Sequence, residues 1–382
     1  MSVADRQSIV ATADPVVVKV GTRVLTAADG SLDTAQVSAM AEQIAQLADA
    51  GRRIVLVSSG AVGAGMGRLG LERRPTDLAQ LQATAAVGQS RLIEAYNQQL
   101  EKHGRHAAQV LLTDDDVNDR RRYLNIRNTL HALWRFGAVP VVNQNDTVQV
   151  SELRRTVGDN DHLAAIVTNL LRAPLLVMLS DVEGLYDRPP NEPGAQVIET
   201  VANIDESILG KVDSSSRAGP QLSMGGMASK LAAARIATAS GENVILASGR
   251  QPKVLAQIMA GKTVGTLFLA QGEAVSSRKR WIGTAAKPQG VLRLDGGACR
   301  AVVDTGSSLL PIGVVAVDGD FSAGDIVALA DEQGGELARG LTNYSAADIR
   351  TIMRRPSEEI ADLLGRRPYL EVVHRDNLAV LV

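Results

Sequence analysis

Short apolar runs recur along most of the chain, and each one stops at a cluster of small or polar residues. Residues 15–20 (PVVVKV), 53–57 (RIVLV), 107–112, 138–142, 173–179 (APLLVML) and 243–247 have the length and β-branching of buried strands. Between them lie segments with helical spacing. In 34–50 the apolar positions are Val37, Met40, Ala41, Ile44, Leu47 and Ala48, and Gly51 is placed to end the helix. Helices are likewise expected over 77–103, 123–136, 162–171, 227–237 and 252–259. Strand and helix alternate, so the chain is read as α/β: a mainly parallel sheet with helices on both faces, an αβα sandwich. Prolines 189, 190 and 193 mark 187–208 as an excursion, and 210–226 reads as a Ser/Gly-rich loop.

Polar residues gather where the strands should end, the edge at which open α/β sheets bind ligands. The stretch 139–162 carries two such clusters, Asn143, Asn145 and Asp146, then Asp159, Asn160 and Asp161. Lys19 lies inside an apolar strand, near the end from which it could project into a phosphate site. After the second strand comes SSGAVGAGMG (58–67), whose glycines 60, 63 and 65 would let backbone N–H groups approach an anion. Ser180 and Asp181 follow the fifth strand. Lys230 falls in the first turn of its helix, which is unfavourable unless an anion shares the site. Residues 65–70 match a dinucleotide fingerprint by chance: they begin too far beyond the strand, and no acid follows at the required distance. No Walker loop is present.

At 382 residues the chain is long enough for two domains. From residue 276 the texture changes to short runs separated by glycine turns, at 290–294, 300–303, 313–317, 325–330, 336–341 and 369–373. These suggest a small β-barrel, and the domains are placed at 1–272 and 277–382. With 45% hydrophobic and 21% charged residues and a net charge of -2, the composition is globular and predicts no general affinity for nucleic acid or anionic membrane. One cysteine, Cys299, excludes an intrachain disulfide or a thiolate metal cluster and reads as a core filler. His103 and His106 have no further ligand nearby, so no metal is assigned there. An N-terminus without an apolar leader, and the lack of any membrane-length apolar run, place the protein in the cytoplasm.

In order along the chain, VVVKVGT (16–22), VSSGA (57–61), NQND (143–146), GDND (158–161), LSDVEGLY (179–186) and GGMASK (225–230) resemble the amino acid kinase family, in its branch that phosphorylates L-glutamate. The resemblance covers nearly the whole chain and implies transfer of the γ-phosphoryl group of ATP to the γ-carboxylate, with Mg²⁺. It implies that Lys19 and Lys230 bind the phosphates of ATP, that Asp161 holds both ammonium groups, and that Asp159 assists. Ser59, Asp146 and Asn160, helped by Asn143, match the family's amino acid site. Gly60, Ser180, Asp181, Met224, Gly225, Gly226, Met227, Ala228 and Ser229 match its nucleotide site. Feedback inhibition by proline, a homo-oligomer and a glutamate-5-semialdehyde dehydrogenase partner are further implications. Two departures stand out. The nucleotide loop reads Ser223-Met224-Gly225-Gly226-Met227 where the family usually has Gly-Thr-Gly-Gly-Met, so the threonine hydroxyl is missing. Gln144 replaces a frequent glutamate.

KRWIG (279–283), GSSLLPIGV (306–314) and EVVHRDNL (371–378) resemble a PUA domain, a module that elsewhere binds RNA. Residues 277–382 hold 13 Lys plus Arg against 14 Asp plus Glu. A phosphate-backbone binder should be basic, so a regulatory or oligomerisation role is expected rather than RNA binding.

Overall fold

Val16–Val20 forms β1, a strand buried along its whole length at the centre of an eight-stranded sheet. It pairs in parallel register with β2 (Ile54–Ser58) on one side and β5 (Leu175–Ser180) on the other, so Lys19 stands opposite both Val57 and Met178. The computed structural model describes residues 3–27, 30–148, 159–205, 208, 226–271, 282–283, 287–365 and 369–381, without the side chains of 3–5, 114, 120, 121 and 159. It divides into two compact units, 1–117 with 121–274, and 275–382 with 118–120.

In the first unit the remaining strands are β3 (Ala107–Leu112), β4 (Val139–Gln144), β6 (Thr200–Val201), β7 (Asn243–Ser248) and β8 (Thr266–Phe268), in the order β3-β4-β2-β1-β5-β7-β8-β6. All neighbours are parallel except β7 and β8. The chain winds outward from β1 through β2 and then returns to place β5 on β1's other side. That reversal makes a topological switch point at the carboxyl ends of β1, β2, β4 and β5, where open α/β sheets bind ligands in a crevice.

The helices are α1 (Val3–Thr12), α2 (Thr22–Leu25), α3 (Thr34–Asp49), α4 (Ala61–Leu69), α5 (Leu78–Leu100), α6 (Asp114–Asn118), α7 (Arg120–Arg135), α8 (Asp159–Leu171), α9 (Gly226–Ala239) and α10 (Val254–Met259). Asp33 and Asp77 cap α3 and α5, each accepting from a backbone N–H at 3.0 Å. Side-chain alternation along β1 sorts the layers. Val16, Val18 and Val20 pack with Val37, Met40 and Ile44 of α3, Leu92 and Tyr96 of α5 and Leu255 of α10. The opposite face, which carries Lys19, is covered by α8. Each fully buried Val or Leu in these layers contributes about 1.5–3 kcal/mol of transfer free energy.

Two glycines expected at a phosphate stand where neighbouring backbone leaves no room for a side chain. A Cβ on Gly65 would stand 1.8 Å from the Thr84 carbonyl oxygen, and one on Gly63 would stand 2.7 Å from that of Gly30. Gly88 answers from α5, where a Cβ would lie 1.8 Å from Ala61 O. Backbone meets backbone between α4 and α5, and side chains are excluded there.

The strand expected over 138–142 runs on to Gln144, so Asn143 and Gln144 belong to the sheet. The helix expected from 162 begins at Asp159, which turns the second polar cluster into a helical first turn. No described helix is long and apolar enough to cross a membrane.

The second unit is a five-stranded sheet, β9 (Gly290–Leu294), β10 (Val314–Gly319), β11 (Ile326–Ala330), β12 (Glu336–Thr342) and β13 (Val373–Val380), ordered β10-β9-β11-β12-β13. Its helices are α11 (Gly296–Val303), α12 (Ala346–Ile352) and α13 (Ile360–Leu364). The strand expected at 300–303 is helical, because the Asp295 side chain accepts from Ala298 N at 2.7 Å and caps a helix there. The last strand starts at Val373, where 369–373 was expected. Cys299 is half-buried against the core formed by Leu292, Leu294, Val302 and Tyr344.

Candidate active site

Lys19 is almost fully buried near the end of β1, and a strand residue there needs a counter-charge. Asp161, in the first turn of α8, supplies it: its Oδ1 lies 2.5 Å from Lys19 Nζ. Its Oδ2 lies 3.4 Å from Lys230 Nζ, on α9, and accepts from Ser229 Oγ at 2.9 Å. Two ammonium groups from distant parts of the chain thus converge on one carboxylate. Gly21 makes room, since a Cβ there would sit 3.5 Å from Lys19 Nζ and 3.3 Å from Leu179 O. Lys230 Nζ also donates to the Gly226 carbonyl at 2.9 Å.

Burial would by itself raise the Asp161 carboxyl; the Lys19 and Lys230 charges outweigh it and hold the group below the usual carboxylate range. Burial pushes the Lys230 ammonium down, with Asp161 pulling the other way and Lys19 adding to the depression. An incoming anion would relieve that strain.

Beside this charged centre lies a neutral one. Asn160, next to Asp161 on α8, donates through Nδ2 to Ser59 Oγ at 3.0 Å, to Asn143 Oδ1 at 3.1 Å and to Ser58 O at 3.3 Å. Ser59 ends in Gly60, whose φ of 98° is a left-handed conformation that favours glycine and starts α4. Asp146 is half-buried just past β4. At the end of β5, Ser180 Oγ donates to Asp181 at 3.0 Å, and Arg23 pairs with the other carboxylate oxygen at 3.0 Å. Burial would raise Asp181, but Arg23 and Ser180 hold it down. Its charge also favours the ammonium form of Lys230.

The structure therefore unites Lys19, Asp161, Lys230 and Ser229 in one cluster and Asn143, Asn160 and Ser59 in another. Gly226, Met227 and Ala228 open α9 ahead of Ser229. Asp159 opens α8, and its side chain is outside the described residues, as are Met224, Gly225 and the changed position Ser223. Sequence motifs did not point to Gln89 of α5, which accepts from Asn143 Nδ2 at 2.8 Å. The only sign was a polar residue on the apolar stripe of a long helix.

Residues 14–248 match the model of the amino acid kinase family, and residues 290–364 that of the PUA domain. Curated relatives named glutamate 5-kinase include one from Rhodopirellula baltica, 47% identical over 99% of this chain and 97% of its own length. Another, from Bordetella petrii, is 46% identical over 98% of both chains. Among solved structures, carbamate kinase from Giardia lamblia bound to AMP-PNP aligns with 69% of this chain and all of its own, at 18% identity and a TM-score of 0.46.

Proposed function

The chain belongs to the amino acid kinase family, and from that premise we propose that it is a glutamate 5-kinase, transferring the γ-phosphoryl group of ATP to the γ-carboxylate of L-glutamate. The observation that carries this reading is the convergence of Lys19 and Lys230 on Asp161.

The chemistry asks little of a base. A γ-carboxylate is already an anion at neutral pH, so one of its oxygens attacks the γ-phosphorus directly, the bond to the β–γ bridging oxygen breaks, and the negative charge leaves on ADP. No proton moves. What the site must supply is positive charge on either side of the migrating group, held in place beforehand. Lys19 and Lys230 provide it, and Asp161 with Ser229 keeps both from drifting. Ser180, Asp181 and the start of α9 form the nucleotide side. Ser59, Asn143, Asn160 and Asp146 form the amino acid side, where the Asp146 carboxylate suits an α-ammonium group.

Among the described residues no three His, Cys, Asp or Glu side chains gather into a metal cage, and both Asp161 oxygens are engaged by lysines and Ser229. The site therefore suits Mg²⁺ as it arrives on the phosphates of ATP, part of the substrate, where it screens their charge. The domains are taken as 1–272 for catalysis and 277–382 for the PUA module. Proline inhibition, self-association, a dehydrogenase partner and a cytoplasmic setting belong to the same reading.

The test offers L-glutamate, N-acetyl-L-glutamate, aspartate and carbamate with Mg-ATP and traps acyl phosphate with hydroxylamine. L-glutamate should be much the best acceptor, because acetylation removes the charge that Asp146 would meet. A better rate with any other acceptor would overturn the assignment.

A further inference from the structure

Gln89, Leu92 and Tyr96 lie on one stripe of α5, at helical spacing. Leu92 and Tyr96 join the core on the side of the sheet away from Lys19. Gln89 is 7% exposed and spends its oxygen on Asn143. Asn143 shares its strand parity with Val139 and Val141, which pack in that same core. Asn160, by contrast, comes from α8 on the opposite face. The bonds Gln89–Asn143–Asn160–Ser59 therefore pass over the carboxyl edge of the sheet, from one helical layer to the other.

Amide groups can turn over, exchanging donor for acceptor, so a chain of them needs something to set its sense. Two backbone groups do so. The Gln144 N–H, which can only donate, gives to Asn143 Oδ1 at 2.9 Å. The Ser58 carbonyl, which can only accept, takes from Asn160 Nδ2. With Asn143 Oδ1 so committed, its Nδ2 needs an acceptor, and Gln89 Oε1 is that acceptor. The sense of the chain leaves Asn160 Oδ1 buried without a hydrogen-bond partner among the described residues, which is costly unless a ligand supplies a donor.

We propose that Gln89 is a positioning residue for substrate selection: from the far layer it holds the Asn143–Asn160 pair in the orientation that leaves the Asn160 carbonyl free for the α-ammonium of the amino acid. This rests on the glutamate 5-kinase reading and adds to it a residue that never touches the substrate. Without Gln89, Asn143 Nδ2 loses its acceptor and only the Gln144 N–H and the Ser58 carbonyl hold the pair, so its orientation is less firmly kept and an amide NH₂ faces the ammonium in part of the molecules.

The discriminating measurement compares L-glutamate with glutarate, which differs by the α-ammonium group alone. For Gln89→Met, close in size and without polar atoms, the ratio of kcat/KM for glutamate to that for glutarate should fall about tenfold, with KM for ATP within about twofold of wild type. A loss of packing alone would lower both acids in parallel; that result, or an unchanged ratio, would overturn the proposal. Gln89→Asn withdraws the same amide by one methylene and should lower the ratio too, which keeps the test available if the Met variant does not fold. Gln89→Glu retains an acceptor opposite Asn143 and should hold the ratio within about threefold of wild type. A Glu variant as impaired as the Met variant would count against the proposal. Wild-type protein inert toward L-glutamate would instead sink the reading beneath it, and the proposal with it.

Discussion

On the side of the site proposed for the nucleotide, the buried groups carry full charges, Lys19, Lys230 and Asp161, joined by the neutral Ser229 hydroxyl and Gly226 carbonyl. On the side proposed for the amino acid, the hydrogen-bonded core is built of neutral amides and a hydroxyl, Gln89, Asn143, Asn160 and Ser59. The contrast follows from what each side must do. A migrating phosphoryl group spreads negative charge over several oxygens, and cations stabilise it from any direction within reach. An amino acid carries opposite charges a few bonds apart, and amides with a fixed sense can tell one end from the other at lower desolvation cost. On the proposed reading, charge would set the rate and amide orientation the choice of acceptor.

Removing one cation should break the comparison most. Lys230→Ala is expected to lower kcat by about 10³-fold while shifting the melting temperature little, since Asp161 keeps Lys19 and Ser229. Near-normal turnover would take Lys230 out of the site.

Asp161→Asn should combine a large loss of turnover with a pH signature. The Asp161 carboxyl is held below its ordinary value of 3.8, so its ionised form stabilises the fold above that pH, and the contribution fades as pH falls through the lowered folded value. Denaturation of wild type and variant should differ by a steady amount above about pH 4 and converge only as pH falls through the lowered folded value.

Gly88→Ala probes the amide side through its support. The added methyl has no room against Ala61 O, so α5 must move, costing roughly 1–3 kcal/mol in stability. The KM for glutamate should rise more than that for ATP. Equal changes in both would mean that the helix pair supports the whole crevice.

The smallest effect lies far from either side. His103 bridges Glu42 and Asp49 at 3.0 and 2.8 Å, and those bonds raise its pKa above 6.5. Its contribution is complete below pH 6.5 and is lost as pH rises through the raised value. His103→Ala should therefore be slightly less stable near pH 6, equal to wild type in alkali, and kinetically unchanged.

Much of this was readable from residues alone, for identifiable reasons. Lysine within VVVKV needs a partner or a ligand wherever the strand lies, and alternating strands and helices leave few topologies. Asn and Asp after an apolar run mark a carboxyl edge. The reading failed where one local pattern allows two structures. Gly65 suits an anion loop or a close helix crossing equally well, and Gly63 an anion loop or a close approach to the Gly30 carbonyl. Gly-Gly-Ala-Cys-Arg-Ala-Val-Val lacks strong helix formers early and ends in β-branched residues, so only the Asp295 cap decided for a helix. Polar residues at 143–144 and 159–161 are expected beyond the strand and ahead of the helix, yet the first group completes β4 and the second begins α8.

The order of strands and helices, the buried cation and the acidic motif were determined by sequence alone, because each is a local pattern of period, propensity or charge. Which glycines serve packing, and which glutamine on a long helix meets the Asn143 amide, were decided by tertiary structure. Gln89 and Asn143 are 54 residues apart, and a hydrogen bond depends on where folding brings two groups.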